Sequence, residues 1–511
     1  MSLQDTARHF PPLAPAEPPP APVRAVPTRL GERARAVANA FHEAAIPPSL
    51  ASGLVIVFET LCLILAGVAA RLYWLGDAAD FGLGSLGPVV GAPFLVALAV
   101  QTVGGYDLSM LRRPQVRVGR VLASWLVVFG AFAVTIVVGD FAPGVGRSWY
   151  PVWLGAGTVT LMAAATVSSM VIGSMTRAGR LQQRAVIVGG GALAEGLITA
   201  LDDSGGNEIK ILGIFDDRAD DRSPENQKGY PKLGTIGDLV EFARVAAVDL
   251  VIVSLPMSAE TRLLQVLKQL WVLPVDIRLA AHANKLRLRP RSYSYVGTVP
   301  FLDVFDKPIS GWDSVVKRVF DLVFGTLAIV TLSPVMLATA VAIKLDSPGP
   351  VLFRQKRYGF NNEVIEVLKF RSMYADKADP SAKVVVTKGD PRVTRVGRFI
   401  RRTSIDELPQ FFNVLRGQLS LVGPRPHAVN AHTSQRLWEE VVDGYFARHK
   451  VKPGVTGWAQ ISGLRGEVDS PSKIQARVEH DLAYIENWSV LFDLYILMMT
   501  PIRILNQENA Y

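Results

Sequence analysis

The sequence predicts a membrane protein in three parts: a four-helix transmembrane bundle, a Rossmann-like α/β middle domain, and an α/β monotopic C-terminal domain with a re-entrant membrane helix. Three observations predict it. Four apolar runs each come near the roughly 20 residues that cross hydrocarbon as a helix. Strand and helix patterns then alternate around a glycine turn. A fifth apolar run has cations on both flanks and a proline at its centre. The 511-residue length suits two or three domains. Hydrophobic residues make up 49% of the chain, charged ones only 19%, and the net charge is +9. That balance suits anionic partners, and the apolar share points to a membrane surface rather than nucleic acid. The lone cysteine, Cys62, excludes an internal disulfide and a thiolate zinc cluster.

Residues 1–48 are expected to form a disordered arm without a signal peptide, since the first 28 contain eight prolines. Residues 49–176 hold the spans, at 51–75, 86–103, 121–138 and 152–172. Arg24, Arg29, Arg33 and Arg35 precede the first span, Arg112, Arg113, Arg117 and Arg120 lie between the second and third, and Arg177, Arg180 and Arg184 follow the fourth. The other loops offer Asp77, Asp80 and Asp140 against Arg147. The positive-inside rule puts both ends of the block in the cytoplasm. Glu59 inside the first span is open between a functional acid and a helix–helix hydrogen bond.

Residues 177–305 read as the middle domain. Strand patterns at 184–188, 209–217, 249–256 and 275–280, with a helical pattern at 260–271, argue for a parallel sheet. Gly189, Gly191 and Ala194 form a G-x-G-x-x-A turn after the first strand, able to seat a pyrophosphate, and Asp216 on the next strand is placed to reach a ribose. The same spacing occurs in sheets that bind nothing, and the absence of a Y-x-x-x-K pair disfavours dehydratase or epimerase chemistry.

Residues 306–511 form the third part. The apolar run 321–345 follows Lys317 and Arg318 and precedes Arg354, Lys356 and Arg357, so both its ends favour the cytoplasm. Pro334 breaks the helical ladder and frees a carbonyl that Ser333 can satisfy. A helix that bends at Ser333–Pro334 and returns to the same face fits both facts; an ordinary kinked span would carry the rest outside. The apolar stretch 486–505, interrupted by Asp493 and Pro501, reads either as an interfacial helix with Trp488 at headgroup depth or as core packing.

The stretch RRTSIDELPQ (401–410) places Asp406 and Glu407 side by side behind Arg392, Arg395, Arg398, Arg401 and Arg402. A capping box from Ser404 to Glu407 would put Pro409 at the fifth helical position. A helix starting at Asp406 instead keeps Pro409 in the first turn, where it is tolerated. The positive helix end would then lower both acids and keep them ionised, as nucleophile or metal ligand. Lys369 and Arg371, two apart, would share a strand face. Two glycine–proline loops carry Arg425, Lys452, Gln460 and Arg465, and the cluster reads as an anion pocket.

The motifs KRVFDLVFG…SP, LFRQKRYGFNN, KFRSM, RRTSIDELPQFFNVLRGQLSLVGPRP and VKPGVTGWAQISGLRG resemble the bacterial sugar transferases, that is, the monotopic polyprenyl-phosphate hexose-1-phosphate transferases. The resemblance runs from Lys317 to the C-terminus, and the earlier parts look like those of the family's long members. Leu419 stands where such proteins usually have Met. The resemblance implies that Asp406 attacks a UDP-hexose, releasing UMP and forming an aspartyl–phosphosugar, and that Glu407 ligates Mg²⁺. Undecaprenyl phosphate then takes the phosphosugar. Arg401, Lys369 and Arg371 are the candidate phosphate contacts, and Arg425, Gln460 and Arg465 the substrate-binding ones. Glucose is the first expectation for the hexose and galactose the next, for capsule or exopolysaccharide synthesis. A homodimer through the middle region is compatible with this reading. The competing reading is an inert membrane scaffold or nucleotide-sensing regulator of polysaccharide export.

Overall fold

The structure is a computed structural model of the chain. It describes residues 30–42, 45–76, 83–139, 149–203, 209–218, 223–256, 258–280, 294–296, 299–377, 390–427, 432–433, 436–442, 444–466 and 470–505. Arg24, Arg29, Asp77, Asp80, Asp140 and Arg147 lie outside these residues, as does the arm to residue 29. The later part of that arm is helical, contrary to expectation: Glu32–Ala40 forms a helix. Ala34 and Ala38, one turn apart and buried, let it press against the middle domain.

Four apolar helices follow, Pro48–Leu75, Leu83–Thr102, Pro114–Gly139 and Trp149–Arg177. They pack around Trp125, Trp149 and Trp153. Close approach depends on a small residue at one crossing: a Cβ on Gly157 would lie 2.7 Å from Trp125 and 3.1 Å from Leu63. Glu59 has its partner here. Its Oε1 accepts from Arg117 Nη2 at 2.5 Å and from Ser168 Oγ at 2.9 Å. Arg117 also donates to the carbonyls of Ala165 at 2.8 Å and Gly105 at 3.1 Å. Arg117, expected as a loop charge, is thus fully buried and ties three helices to the connection before its own. The segment before the first helix and the domain after the fourth meet, with Ile46 N donating to Arg180 O. Both ends of the bundle therefore lie on one side.

The middle domain contains β1 (Gln183–Val188), β2 (Ile209–Phe215), β3 (Asn226–Gln227), β4 (Tyr230–Gly234), β5 (Leu250–Val253), β6 (Asp276–Ala280), β7 (Ser294–Val296) and β8 (Val299–Phe305). Their order is β3-β4-β2-β1-β5-β6-β8-β7. The centre is parallel as the apolar strands predict, but β3, β7 and β8 pair antiparallel, so the sheet is mixed. Gly189 and Gly191 have φ of 94° and 90°, which an L side chain rarely adopts. Ala194 is buried in the core beneath the turn. Asp216, expected to reach a ribose, is engaged internally instead. Its Oδ2 accepts from the Gly190 amide at 2.7 Å and Arg218 Nη2 at 2.8 Å, while Ser223 and Gln227 crowd Gly190. Burial works to raise the Asp216 carboxyl, yet the Arg218 hydrogen bonds hold it down at about 2.

The third part begins with one helix, Gly311–Asp346, about 54 Å long at 1.5 Å per residue. Ser333 Oγ donates to Val330 O at 2.8 Å, the carbonyl that Pro334 leaves without its ladder partner. Both ends grip the same domain. Near the start, buried Lys317 donates to Asp493 Oδ2 at 2.6 Å and Val422 O at 2.9 Å, and Asp321 accepts from Ser420 Oγ and Leu421 N. At the far end, Ile343 packs with Phe370 and Ile400, and Arg371 holds Ser347 O at 2.7 Å. Between them Leu327, Val330, Leu337 and Val341 are exposed. The final helix, Val490–Leu505, satisfies both readings of its stretch: Asp493 and Ile496 are buried, while Leu491, Tyr495, Met498 and Ile502 form an exposed stripe. Trp488, expected at headgroup depth, is drawn inward because its Nε1 donates to Asp493 at 3.2 Å.

Replacing Glu59 with Ala would leave the Arg117 guanidinium buried without its counter-charge. The expected outcome is a loss of roughly 3 kcal/mol or more of stability, read as a lower unfolding midpoint in detergent. A midpoint equal to that of the unaltered protein would contradict this role.

Candidate active site

The acid pair is positioned by a strand ribbon and a short helix locked to it. The strands β9 (Leu352–Tyr358) and β10 (Val364–Phe370) pair antiparallel. Asn413, fully buried in the helix Gln410–Leu415, accepts from Leu368 N at 2.9 Å and donates to Glu366 O at 2.7 Å. This lock brings Lys369, the next residue of β10, against the turn that precedes the helix. Lys369 Nζ donates to Glu407 Oε1 at 3.0 Å.

That turn differs from the expected helix start. Ile405–Glu407 is a single 3₁₀ turn, and the α-helix begins at Gln410 with Pro409 at its N-cap. Proline supplies no amide, so the chain closes by tight i+3 bonds, Leu408 N to Ile405 O and Phe412 N to Pro409 O, both 3.1 Å. Ser404 sits at φ 60° and caps nothing; its hydroxyl receives Arg465 Nη2. The capping box is absent, as the proline implied.

The two acids part company electrostatically. Glu407 accepts from Lys369 and from both Arg425 nitrogens, Nη1 at 3.2 Å. Burial alone would raise its carboxyl, and Arg425 and Lys369 overcome this and hold it well below the usual range. Asp406 has no hydrogen bond or ion pair among the described residues. Burial pushes its carboxyl up; Lys369 opposes, the Glu407 charge adds to the rise, and Arg401 opposes again. The expected lowering of both acids therefore holds for Glu407 alone, because a six-residue helix offers little dipole against the desolvation of Asp406.

Arg401, at the end of the helix Arg395–Arg402, contributes charge that Asp406 feels. Arg371, expected to share the Lys369 face, follows the last residue of β10 and turns away. It donates to Pro348 O at 2.5 Å and Ser347 O at 2.7 Å, so it anchors the long helix instead of the pocket. Gln460 and Arg465 line a pocket together with Ser404 and Glu407. The Gln460 Oε1 is buried there with no partner.

Sequence reasoning missed Arg357 as a site residue. It donates to Pro426 O at 2.5 Å, and burial together with Arg425 pushes it down to about 10. The signal lay in the period of two: Gln355 and Arg357 on one strand and Val367 and Lys369 on the other lie on one face of the ribbon, with Gln355 opposite Val367. Also missed is a buried support behind Arg425. Arg448 Nη2 donates to Arg425 O at 2.8 Å, and Arg448 pairs with Asp481 at 2.5 Å. His427, bonded to Tyr445 OH at 2.6 Å, is held well below its usual range by burial and Arg448. The neighbouring segment docks on the middle domain, with Lys450 Nζ 5.5 Å from the Trp271 ring and Asn361 Nδ2 3.0 Å from Ala243 O.

The arrangement is one unpaired carboxylate facing a cluster of cations, beside a helix with exposed apolar flanks. It defines a membrane-bound enzyme that handles anionic substrates. Residues 312–507 match the family described as bacterial sugar transferase, and residues 101–281 match that described as CoA-binding domain. An "Undecaprenyl-phosphate glucose phosphotransferase" of Komagataeibacter xylinus is 35% identical over 473 residues, 90% of this chain and 85% of its own length. A "UDP-glucose:undecaprenyl-phosphate glucose-1-phosphate transferase" of Xanthomonas campestris pv. campestris is 35% identical over 436 residues, 83% of this chain and 89% of its own. A "UDP-N-acetylgalactosamine-undecaprenyl-phosphate N-acetylgalactosaminephosphotransferase" of Aeromonas hydrophila is 44% identical over 185 residues, 36% of this chain and 42% of its own. The chain belongs to the bacterial sugar transferase family, in its long form with membrane helices and a Rossmann-like domain ahead of the transferase domain.

Lys369 is the cation that most opposes the rise of Asp406. Replacing Lys369 with Met removes it, so Asp406 should stay protonated to a higher pH. The acid limb of the pH–rate profile is expected to move upward; a limb that stays put or moves downward contradicts the assignment.

Proposed function

We propose that the protein transfers hexose-1-phosphate from a UDP-hexose to undecaprenyl phosphate, through a covalent intermediate on Asp406, with release of UMP. The observation that carries this reading is the carboxylate of Asp406, which has no partner among the described residues while its neighbour Glu407 is held by Lys369 and Arg425. A carboxylate left free inside so much positive charge is an available nucleophile. Among the sugars, glucose is favoured by the names of the two relatives that cover most of this chain.

In the first step an Asp406 carboxylate oxygen attacks the phosphorus that bears the sugar. The P–O bond to UMP breaks, and UMP leaves with the electron pair. No proton has to move. Lys369, Arg425, Arg401 and Arg357 offset the repulsion between carboxylate and pyrophosphate and stabilise the charge on the leaving phosphate. In the second step an oxygen of the lipid phosphate attacks the same phosphorus. The bond to Asp406 breaks, regenerating the carboxylate and leaving the sugar on a lipid diphosphate.

Mg²⁺ belongs to this reading: Asp406 and Glu407 present adjacent hard oxygens, Glu407 giving up a bond from Lys369 or Arg425 to take the ion, and a site with few protein carboxylates is the usual form when substrate phosphates complete the shell. Glu407 would hold the ion, which would supply charge to the phosphate oxygens. The bonds from both ends of the helix Gly311–Asp346 to one domain support a re-entrant path bending at Ser333–Pro334. With the bundle's ends on one side, the cationic loops favour a catalytic domain on the cytoplasmic face. The product suits the opening membrane step of exopolysaccharide or capsule synthesis.

The test is UMP-dependent exchange without lipid acceptor. Labelled UMP should enter the UDP-hexose pool through the phosphorylated aspartate, and Asp406→Asn should abolish this while leaving expression and folding intact. Exchange that survives in Asp406→Asn removes the residue from the mechanism.

A further inference from the structure

The pocket beside Glu407 has a wall that the mechanism above leaves unused. One side is the acid turn, Ser404 and Glu407, with Arg465 and Gln460. Leu408, Phe411, Val455 and Ile461 make a mostly apolar lining, and the C-terminal helix closes the remaining side with Thr500 and Arg503. The helix is fixed there by a bond from Thr500 to Thr456, 2.7 Å between hydroxyls, and by buried Asp493 about two turns earlier, which receives Lys317. Arg503 has no hydrogen bond or ion pair among the described residues. Arg503 is thus an exposed cation without a protein partner among these residues, at the edge of a pocket that is otherwise mostly apolar, and that combination points to a ligand with an anionic head and an apolar body.

The same helix carries the stripe Leu491, Tyr495, Met498 and Ile502, at spacings of four, three and four, 49–76% exposed. Such a stripe suits a helix lying on hydrocarbon. Arg503 follows Ile502 directly, so it stands where the apolar surface meets the pocket. A nucleotide comes from water and has no use for an apolar approach. A lipid whose single phosphate sits on a long isoprenoid chain needs both parts at once: apolar contact for the chain and a cation for the head.

We propose that Arg503 binds the phosphate of the polyprenyl acceptor, whose first isoprene units lie against Leu408, Phe411 and Val455. This rests on the two-step reading of the site. In that reading UMP departs before the acceptor enters, so the acceptor's phosphate can use space the nucleotide has vacated. It must then approach the phosphorus carried by Asp406, and Glu407, next to Asp406 in the chain, and Ser404, two residues before it, line the same pocket. Arg503 therefore orients the attacking phosphate and takes no part in forming the intermediate.

The experiment separates the two half-reactions in the full-length protein in nanodiscs. For Arg503→Ala, the KM for undecaprenyl phosphate is expected to rise at least tenfold, while UMP exchange without acceptor changes less than about twofold. Arg503→Lys should recover much of the acceptor affinity, since a point charge still attracts phosphate. Retained exchange also shows that the variant is folded. Equal losses in both half-reactions would assign Arg503 to the donor pyrophosphate, and no change in either would leave it a surface charge; both overturn the proposal. Absence of UMP exchange in the unaltered protein would instead defeat the two-step reading itself, which is a different failure.

Discussion

Glu407 is where the site's geometry is decided. Its carboxylate is shared by Lys369 from the strand ribbon and Arg425 from a glycine–proline loop, so three stretches distant in sequence are drawn to one point. Removing the group would leave two half-buried cations without their counter-charge, a cost that ordinarily exceeds the value of the pair itself. The neighbouring Asp406, on the same single turn, has no hydrogen bond or ion pair among the described residues, which leaves it free for the role proposed above. Adjacent residues of one type thus take opposite roles because the surrounding cations reach one and stop short of the other.

That centre is held in place from two directions. The ion pair between Arg448 and Asp481 supports the backbone of Arg425, and the segment carrying Arg448 also leans on Trp271 of the middle domain through Lys450. On the membrane side, Lys317 and Arg371 tie the two ends of the long helix to the same small domain. The long apolar helix and the cationic pocket are therefore one mechanical unit, as a reaction between a soluble nucleotide and a lipid phosphate requires.

Much of this was legible in the sequence. The apolar runs and the central strands announce themselves by length and composition, and Pro409 alone was enough to exclude a capping box. The break at Pro334 and the hydroxyl that compensates it could likewise be read from two letters. What could not be read was pairing over long range. Arg117 looks like a loop charge until Glu59 is found beside it, 58 residues away. Arg371 looks like the companion of Lys369, but the strand ends at Phe370 and the alternation that would aim it at the pocket ends there too. In each case the residue type was informative and its partner was not, because partners are set by tertiary packing and not by local spacing.

The most direct test of the central claim is mass spectrometry of full-length protein quenched after mixing with UDP-hexose and no lipid acceptor. A hexose-phosphate adduct confined to the peptide containing Asp406, and cleared when undecaprenyl phosphate is added, is the predicted result. An adduct on another side chain, or none while product still forms, would contradict it.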